Sequence, residues 1–377
     1  MNKLWAITFF ALPLIGIGYT FWRIWFLLPL SSMYKAIVLL VLLLCILLLF
    51  VNFGLLNIDR WPMWAATATY EVGTSSLFIL LYVVMLFLLL DLGRLVHVVP
   101  RSWLFDSWKG TIAITVVLMS VFTYGYFHYM NKVRMPLDLP TTKTLLQPKT
   151  IVMMSDLHIG YHNQRKELAR WIDLVNAEKP DLILIGGDII DGRMRPIIDQ
   201  DMAAEFSRLQ APVYACLGNH EYYGGEQEAE KFYRAAHIHL LRDEVATVWD
   251  INIIGRDDRT NPHRKSVAQL MQGVDKSKYT ILLDHQPYHL EEAERNGIDF
   301  QLSGHTHYGQ VWPISWIEDA MYEDAYGKLR KGNTQYYVTS GIGIWGGKFR
   351  IGTQSEYIVA RLSPANASAP TDRGGRN

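Results

Sequence analysis

Five short apolar runs beyond residue 150 each end in residues that can hold a metal ion. Residues 151–154 lead into Asp156 and His158, 182–185 into Asp188, and 213–217 into Asn219 and His220. Residues 279–283 lead into Asp284 and His285, and 299–302 into His305 and His307. A histidine beside one strand is ordinarily a surface or core residue. Five such endings together point to a metal site. Imidazole and carboxylate ligands suit Zn, Mn or Fe. With only two cysteines, Cys45 and Cys216, neither a thiolate site nor a disulfide framework can be built. So many candidate ligands exceed what one tetrahedral ion takes, but fit two ions sharing a bridging carboxylate. Two ions about 3.5–4 Å apart are a clamp for displacement at phosphorus.

The elements that must position these residues alternate. Apolar runs are separated by helical patterns at 164–178, around 199–209, at 264–272 and at 288–296. In the first, Leu168, Trp171, Ile172 and Val175 recur at helical spacing. Strands alternating with helices predict an α/β domain with an at least partly parallel sheet. Ligands in such folds sit beyond the carboxyl ends of the strands. All five endings are therefore expected at one edge of a single sheet. The last runs, 335–340 and 356–362, lack a helix between them and read as an antiparallel edge or a second sheet.

The first third is different in kind. Of 36 Lys/Arg and 36 Asp/Glu in 377 residues, only seven and four fall before residue 132. Uncharged stretches at 4–22, 36–56, 72–90 and 110–131 are each long enough to cross about 30 Å of hydrocarbon. They predict an N-terminal bundle of four transmembrane helices, with Trp5, Trp22, Trp25, Trp61, Trp64, Tyr124, Tyr126 and Tyr129 as an interfacial belt. Lys3 before the first stretch could open a signal peptide, but no small-residue cleavage site follows. His128 is the ionisable residue within a span, while Arg23, Asp91 and Arg94 stand at span ends, so anchoring is favoured over transport. The expected divisions are 1–131 for the membrane region, 132–149 for a proline-containing linker, 150–362 for the catalytic domain and 363–377 for a disordered tail. Net charge is zero and no basic groove is evident, which argues against a nucleic-acid partner.

Taken in order, Asp156-Leu157-His158, Gly187-Asp188-Ile189-Ile190-Asp191, Gly218-Asn219-His220-Glu221, His285 and Gly304-His305-Thr306-His307 resemble the motifs of calcineurin-like metallophosphoesterases. The segment 304–310 and Gly341-Ile342-Gly343 look like the membrane-associated or exported bacterial branch. The resemblance covers roughly residues 148–362 and departs at Tyr308, where that branch would have glycine. It implies a four-layer α/β/β/α sandwich and two divalent ions that lower the pKa of a bridging water. Asp156, His158 and His307 would hold one ion, and Asn219, His285 and His305 the other, with Asp188 bridging. His220 would then be free to donate to the phosphate or leaving oxygen, oriented by Asp191. Asp191 could instead be a helix N-cap or turn carboxylate, and Glu221 reads as a solvated side chain. His162, His237, His239, His263 and His289 read as surface or core residues, with His162 close enough to the first motif to line the pocket.

The expected function is hydrolysis of a phosphodiester or pyrophosphate at the membrane. A lipid-linked substrate is favoured by the tether alone. Trp312, Ile314, Trp316, Ile317, Met321, Tyr322 and Tyr326 follow the His305/His307 loop and form either a hairpin packed on the core or an apolar lip for bilayer or acyl chain. Alternatives are a phosphomonoesterase of the same mechanism and, in another class, a catalytically retired membrane sensor or scaffold. No ligand is missing from the sequence, which weighs against retirement. For orientation, Arg23, Lys35, Arg94, Arg101 and Lys109 flank one side of the membrane, against Lys3 and Arg60 on the other. Lys132 and Arg134 narrow that margin. The five-charge side is expected in the cytoplasm, which would put residues 132–377 outside it.

Overall fold

A computed structural model describes residues 3–365, with side chains described from residue 11 onward except at position 53. The chain forms two compact units. One comprises residues up to His128 together with 346–351, and the other comprises 129–345 and the residues from 352 onward.

The first unit contains α1 (Lys3–Leu27), α2 (Ser32–Phe50), α3 (Met63–Leu95) and α4 (Trp108–Met130). Among the described residues α2, α3 and α4 are long and apolar enough to cross a membrane; the described apolar part of α1, Ala11–Leu27, is shorter. α3 is much longer than the uncharged stretch that announced it, so Glu71 lies within the helix. Glu71 stands 3.6 Å from Lys348 of the 346–351 segment, whose Phe349 packs edge-on against Phe122. Arg23 and Asp91, placed at span ends by the sequence, form an ion pair at 3.2 Å, and Tyr19 donates to the same carboxylate. The fully buried guanidinium of Arg23 lies among the rings of Trp22, Phe87 and Phe105, a stable place for a cation that has left water.

Among the described residues the second unit has twelve strands: β1 (Lys132–Thr141), β2 (Lys149–Met154), β3 (Leu182–Ile185), β4 (Val213–Ala215), β5 (His239–Leu240), β6 (Glu244–Val248), β7 (Ile251–Gly255), β8 (Tyr279–Leu283), β9 (Phe300–Ser303), β10 (Gly327–Lys331), β11 (Thr334–Val338) and β12 (Ser355–Pro364). They make two six-stranded sheets, in the orders β1-β12-β2-β3-β4-β5 and β10-β11-β9-β8-β7-β6. The five ligand-bearing runs are thus divided between two sheets: β2, β3 and β4 in one, β8 and β9 in the other. Each group runs parallel within its own sheet.

The unbroken apolar runs follow from burial on both faces. In β2 and β3 the side chains alternate between two cores. Ile151, Met153, Leu182 and Leu184 join residues of both sheets. Val152, Met154, Ile183 and Ile185 instead join Leu168, Trp171, Ile172 and Val175 of the helix Arg165–Ala177. A third cluster packs Val267, Leu270, Leu290 and Ala293 against Ile254 and Leu282 of the other sheet. Truncating wholly buried Leu184 to alanine would cost about 2–5 kcal/mol.

The expected linker is a strand over most of its length. β1 pairs in parallel with β12 from Lys132 to Thr141. Its prolines, 136 and 140, misdirected the sequence reading; they are tolerated because β1 is an edge strand, where a missing N–H need not break a ladder. Of the expected disordered tail, Ser363 and Pro364 continue β12, and 366–377 lie outside the described residues.

Candidate metal centre

Each ligand leaves the end of a strand in a tight turn. Asp156, His158, Asp188, His305 and His307 all have positive φ, between 44° and 71°. That left-handed region is unfavourable for residues with a Cβ, and such strain gathers at functional sites. Two glycines make room for the carboxylates. A Cβ on Gly218 would meet Asp188 Oδ1 at 2.1 Å, and one on Gly304 would meet Asp156 Oδ2 at 2.1 Å.

The nine sequence-predicted site residues come together. Asp156, His158 and His307 form one group able to share an ion, and Asp188, His285 and His305 form another. Nε2 of His158 lies 3.0 Å from Nε2 of His307 and 3.8 Å from Asp156 Oδ1. Asp188 stands between the groups, its Oδ2 3.1 Å from His285 Nε2 and 3.6 Å from His158 Nε2. Asn219 Oδ1 lies 2.8 Å from His305 Nδ1. Asp156, His158, Asp188 and His285 are essentially inaccessible to water.

Nearby backbone fixes these groups. Nδ1 of His285 donates to Gly186 O at 2.7 Å, so its Nε2 faces Asp188. That buried Nε2 makes no hydrogen bond. Asp156 accepts from the His305 amide, and Asp188 Oδ1 from the His220 amide. The half-buried ring of His220 meets His158 edge-on, and its Nδ1 is 3.6 Å from Asp191 Oδ1. Asp191 is nearer to His158, whose Nδ1 donates to it at 3.1 Å. Asp191, His158 and His220 form a third group with ligand-like spacing.

The electrostatics call for cations. Burial opposes ionisation of Asp156, Asp188 and Asp191, yet the surrounding imidazoles hold all three below the usual carboxylate range. Burial would lower the pKa of His158, but Asp156, Asp191 and Asp188 outweigh it and push it up to about 10. Burial and the neighbouring His285 bring His305 down to about 4. Converging imidazole nitrogens, three buried carboxylates and an unmet His285 Nε2 fit divalent ions with N/O ligands.

Glu221 corrects the sequence reading. It is fully buried rather than solvated, and accepts from the amides of Gly218, Asp188 and Ile190, tying two ligand loops together. Burial and then Asp188 push it up to about 7. Its signal was the capping-box spacing, a glutamate three residues after the helix-capping Gly218. Asn163 went unread: its amide donates to the carbonyls of Leu157 and His158 and so shapes the first loop. Nε2 of buried His162 meets Ile344 O at 2.7 Å, and its Nδ1 lies 3.8 Å from Asp191. Asp284 pairs with Arg256 and Arg264 instead of facing the centre. At Tyr308, where the resembling branch has glycine, the backbone is left-handed, φ 48°, and the ring stacks on Tyr326.

The calcineurin-like phosphoesterase family model matches residues 149–309. An uncharacterized metallophosphoesterase of Campylobacter jejuni is 30% identical over 262 residues, 66% of this chain and 69% of that protein. One from Helicobacter pylori strain J99 is 29% identical over 261 residues, covering 68% and 70%. A transmembrane protein with metallophosphoesterase domain from Danio rerio is 27% identical over 340 residues, 82% of this chain and 76% of the relative. The chain belongs to the calcineurin-like phosphoesterases. It is a metal-dependent phosphoesterase, and its apolar helices associate it with a membrane.

Proposed function

We propose that this protein is a membrane-anchored, two-metal phosphohydrolase that cleaves a phosphodiester or pyrophosphate bond in a lipid-linked substrate. Asp156, His158 and His307 would hold one ion and Asn219, His285 and His305 the other, as Mn, Zn or Fe. The observation that carries the reading is the position of Asp188, with one oxygen facing His285 and His158 at 3.1 and 3.6 Å. When bound, the two ions would supply Lewis-acid stabilisation of phosphoryl charge and an activated water.

The chain's own residues do the rest. Asp188 and Asp156 are held by backbone amides, so the charge of the pocket is fixed before substrate arrives. Asp191 orients the His158 ring through Nδ1, which would leave Nε2 free to hold an ion. His220 is half-buried and completes neither ligand set; it would donate a hydrogen bond or proton to the leaving oxygen. In the free protein burial lowers its pKa.

The finer architecture belongs to the same reading: four spanning helices, α1 included, a catalytic unit layered α/β/β/α, and that unit outside the cytoplasm. The loop charges support the orientation. The lipid-linked substrate is supported by the membrane helices and by Trp312, Trp316, Ile317 and Met321, which are exposed just after the His307 turn. Amphipathic tryptophans of this kind favour an apolar–water boundary. The test is hydrolysis by detergent-purified protein of matched mono-, di- and pyrophosphate esters, with each metal restored in turn. Preference for monoesters under every metal would overturn the diester reading, and no hydrolysis of any ester would overturn the whole proposal.

A further inference from the structure

Beside the His285/His305 half of the centre lies a loop, residues 256–265, rich in arginine and aspartate. Nearly all its charges are consumed internally. Buried Arg256 pairs with Asp284 at 3.1 Å and Glu292 at 3.0 Å. Arg264 reaches Asp284 and the Asp257 carbonyl, both at 3.0 Å. Asp257 accepts from Arg242, Tyr222 and Asn261, and Asp258 from Thr260 and Gln286. These bonds make a rigid platform.

Arg259 is the exception. It is exposed, and among the described residues no carboxylate lies within ion-pair distance of it. Its guanidinium carbon sits 3.9 Å from the centre of the Tyr288 ring. Tyr288 packs on Tyr322 with ring centres 4.8 Å apart and hydroxyls 3.1 Å apart. Tyr322, only 9% exposed, in turn meets the ring of His305 at 6.3 Å. Two tyrosines therefore lead from a metal ligand to a guanidinium with unspent donors. A ring-stacked guanidinium keeps its in-plane N–H fork free, the geometry that binds phosphate through two bonds.

We propose that Arg259 is a substrate-binding residue that selects for a second phosphate carried by the leaving portion of the substrate, with Tyr288 and Tyr322 holding it on the His305 side of the centre. The proposal rests on the two-metal reading of the adjoining centre and narrows its substrate class to pyrophosphate-type or doubly phosphorylated diesters. A solvated arginine of no consequence would have no effect on selectivity, and that difference is measurable.

The experiment uses full-length, metal-loaded protein in detergent and two probes: bis(4-nitrophenyl) phosphate, which has no second phosphate, and a nucleoside-diphosphate sugar, which has one. We expect Arg259→Ala to lower the ratio of kcat/KM for the second probe over the first by roughly tenfold or more, the worth of a lost charge-assisted pair, through KM rather than kcat. Arg259→Lys should recover part of the loss, because it restores charge but not the fork. Tyr288→Leu should lower the ratio less, by freeing the guanidinium. Metal content of each variant shows that the centre is intact. An unchanged ratio in both Arg259 variants overturns the proposal, as does wild-type protein that cleaves the first probe and not the second. Wild-type protein that cleaves neither overturns instead the reading of the centre on which it rests.

Discussion

The carboxylate of Asp191 is hydrogen-bonded to Nδ1 of His158 at 3.1 Å, not to His220, whose Nδ1 lies 3.6 Å away. A carboxylate behind a ligating imidazole fixes its tautomer and raises its basicity. The pairing of Asp191 with His220 implied by the resemblance is therefore longer than its contact with His158. This changes what substitution of Asp191 should do.

Asp191→Asn should reduce metal retention at the His158 side as well as turnover, by about 10- to 100-fold in affinity or rate. His220→Ala should keep both ions and lose about 10²–10⁴-fold in turnover. Metal analysis alongside initial rates separates the two. Loss of metal from His220→Ala would assign that histidine to a ligand set and remove it as proton donor.

The wild-type protein should carry close to two transition-metal ions per chain after purification in metal-replete buffer. Asp188→Asn should weaken both sites and abolish hydrolysis, because one carboxylate serves both groups. Elemental analysis that finds a single ion in fully active protein would end the two-metal mechanism.

Gly218→Ala tests the steric claim. Its methyl group would need the space now held by Asp188 Oδ1, 2.1 Å away, so the carboxylate must move. The variant should keep its fold by circular dichroism and lose metal and activity together. Full activity would show that the loop relaxes more easily than the packing suggests.

Acid sensitivity should trace in part to Asp257. Burial would raise its pKa, but bonds from Asn261, Arg242 and Tyr222 hold it below the usual carboxylate range. The unfolded chain then binds the proton more readily than the folded one. The stabilisation is complete above the ordinary carboxylate pKa of about 3.9 and is lost as pH falls through the lower, folded value. Asp257→Asn should cost about 1–3 kcal/mol at neutral pH and show a smaller fall in melting temperature on acidification. Identical acid dependence in variant and wild type would assign the sensitivity elsewhere.

Orientation is open to a reporter fused after Asn131. Alkaline phosphatase should be active there, and a green fluorescent protein exported unfolded should stay dark. The opposite pattern would put the catalytic unit in the cytoplasm and make the substrate an inner-leaflet lipid or a nucleotide.

What could be read from the sequence was whatever a strand makes unmistakable when both faces are buried. The runs that became β2, β3, β8 and β9 were legible for that reason, and so were the ligands at their ends. Their division between two sheets was not, since a run buried on both faces has the same composition in either sheet. Edge strands were harder. In β1 the prolines masked an alternation of Leu137 and Leu139 with exposed residues, and β6 and β10 carry mixed, half-exposed side chains. Glu221 was misread because a charged residue in a six-residue helix is ordinarily solvated, and only its three amide donors explain its burial. The pairing of Arg23 with Asp91 depends on how α1 and α3 pack, which spacing along one chain does not encode.

The left-handed backbone at five candidate metal ligands also bears on how this chain could lose its chemistry over time. At those turns the aspartates and histidines are poor choices for stability alone; glycine or asparagine would hold the same φ at lower cost. A requirement for metal binding would oppose that drift. A duplicated copy released from catalysis should therefore accumulate glycine and asparagine at positions 156, 158, 188, 305 and 307 while its strands persist. That substitution pattern would mark a retired scaffold.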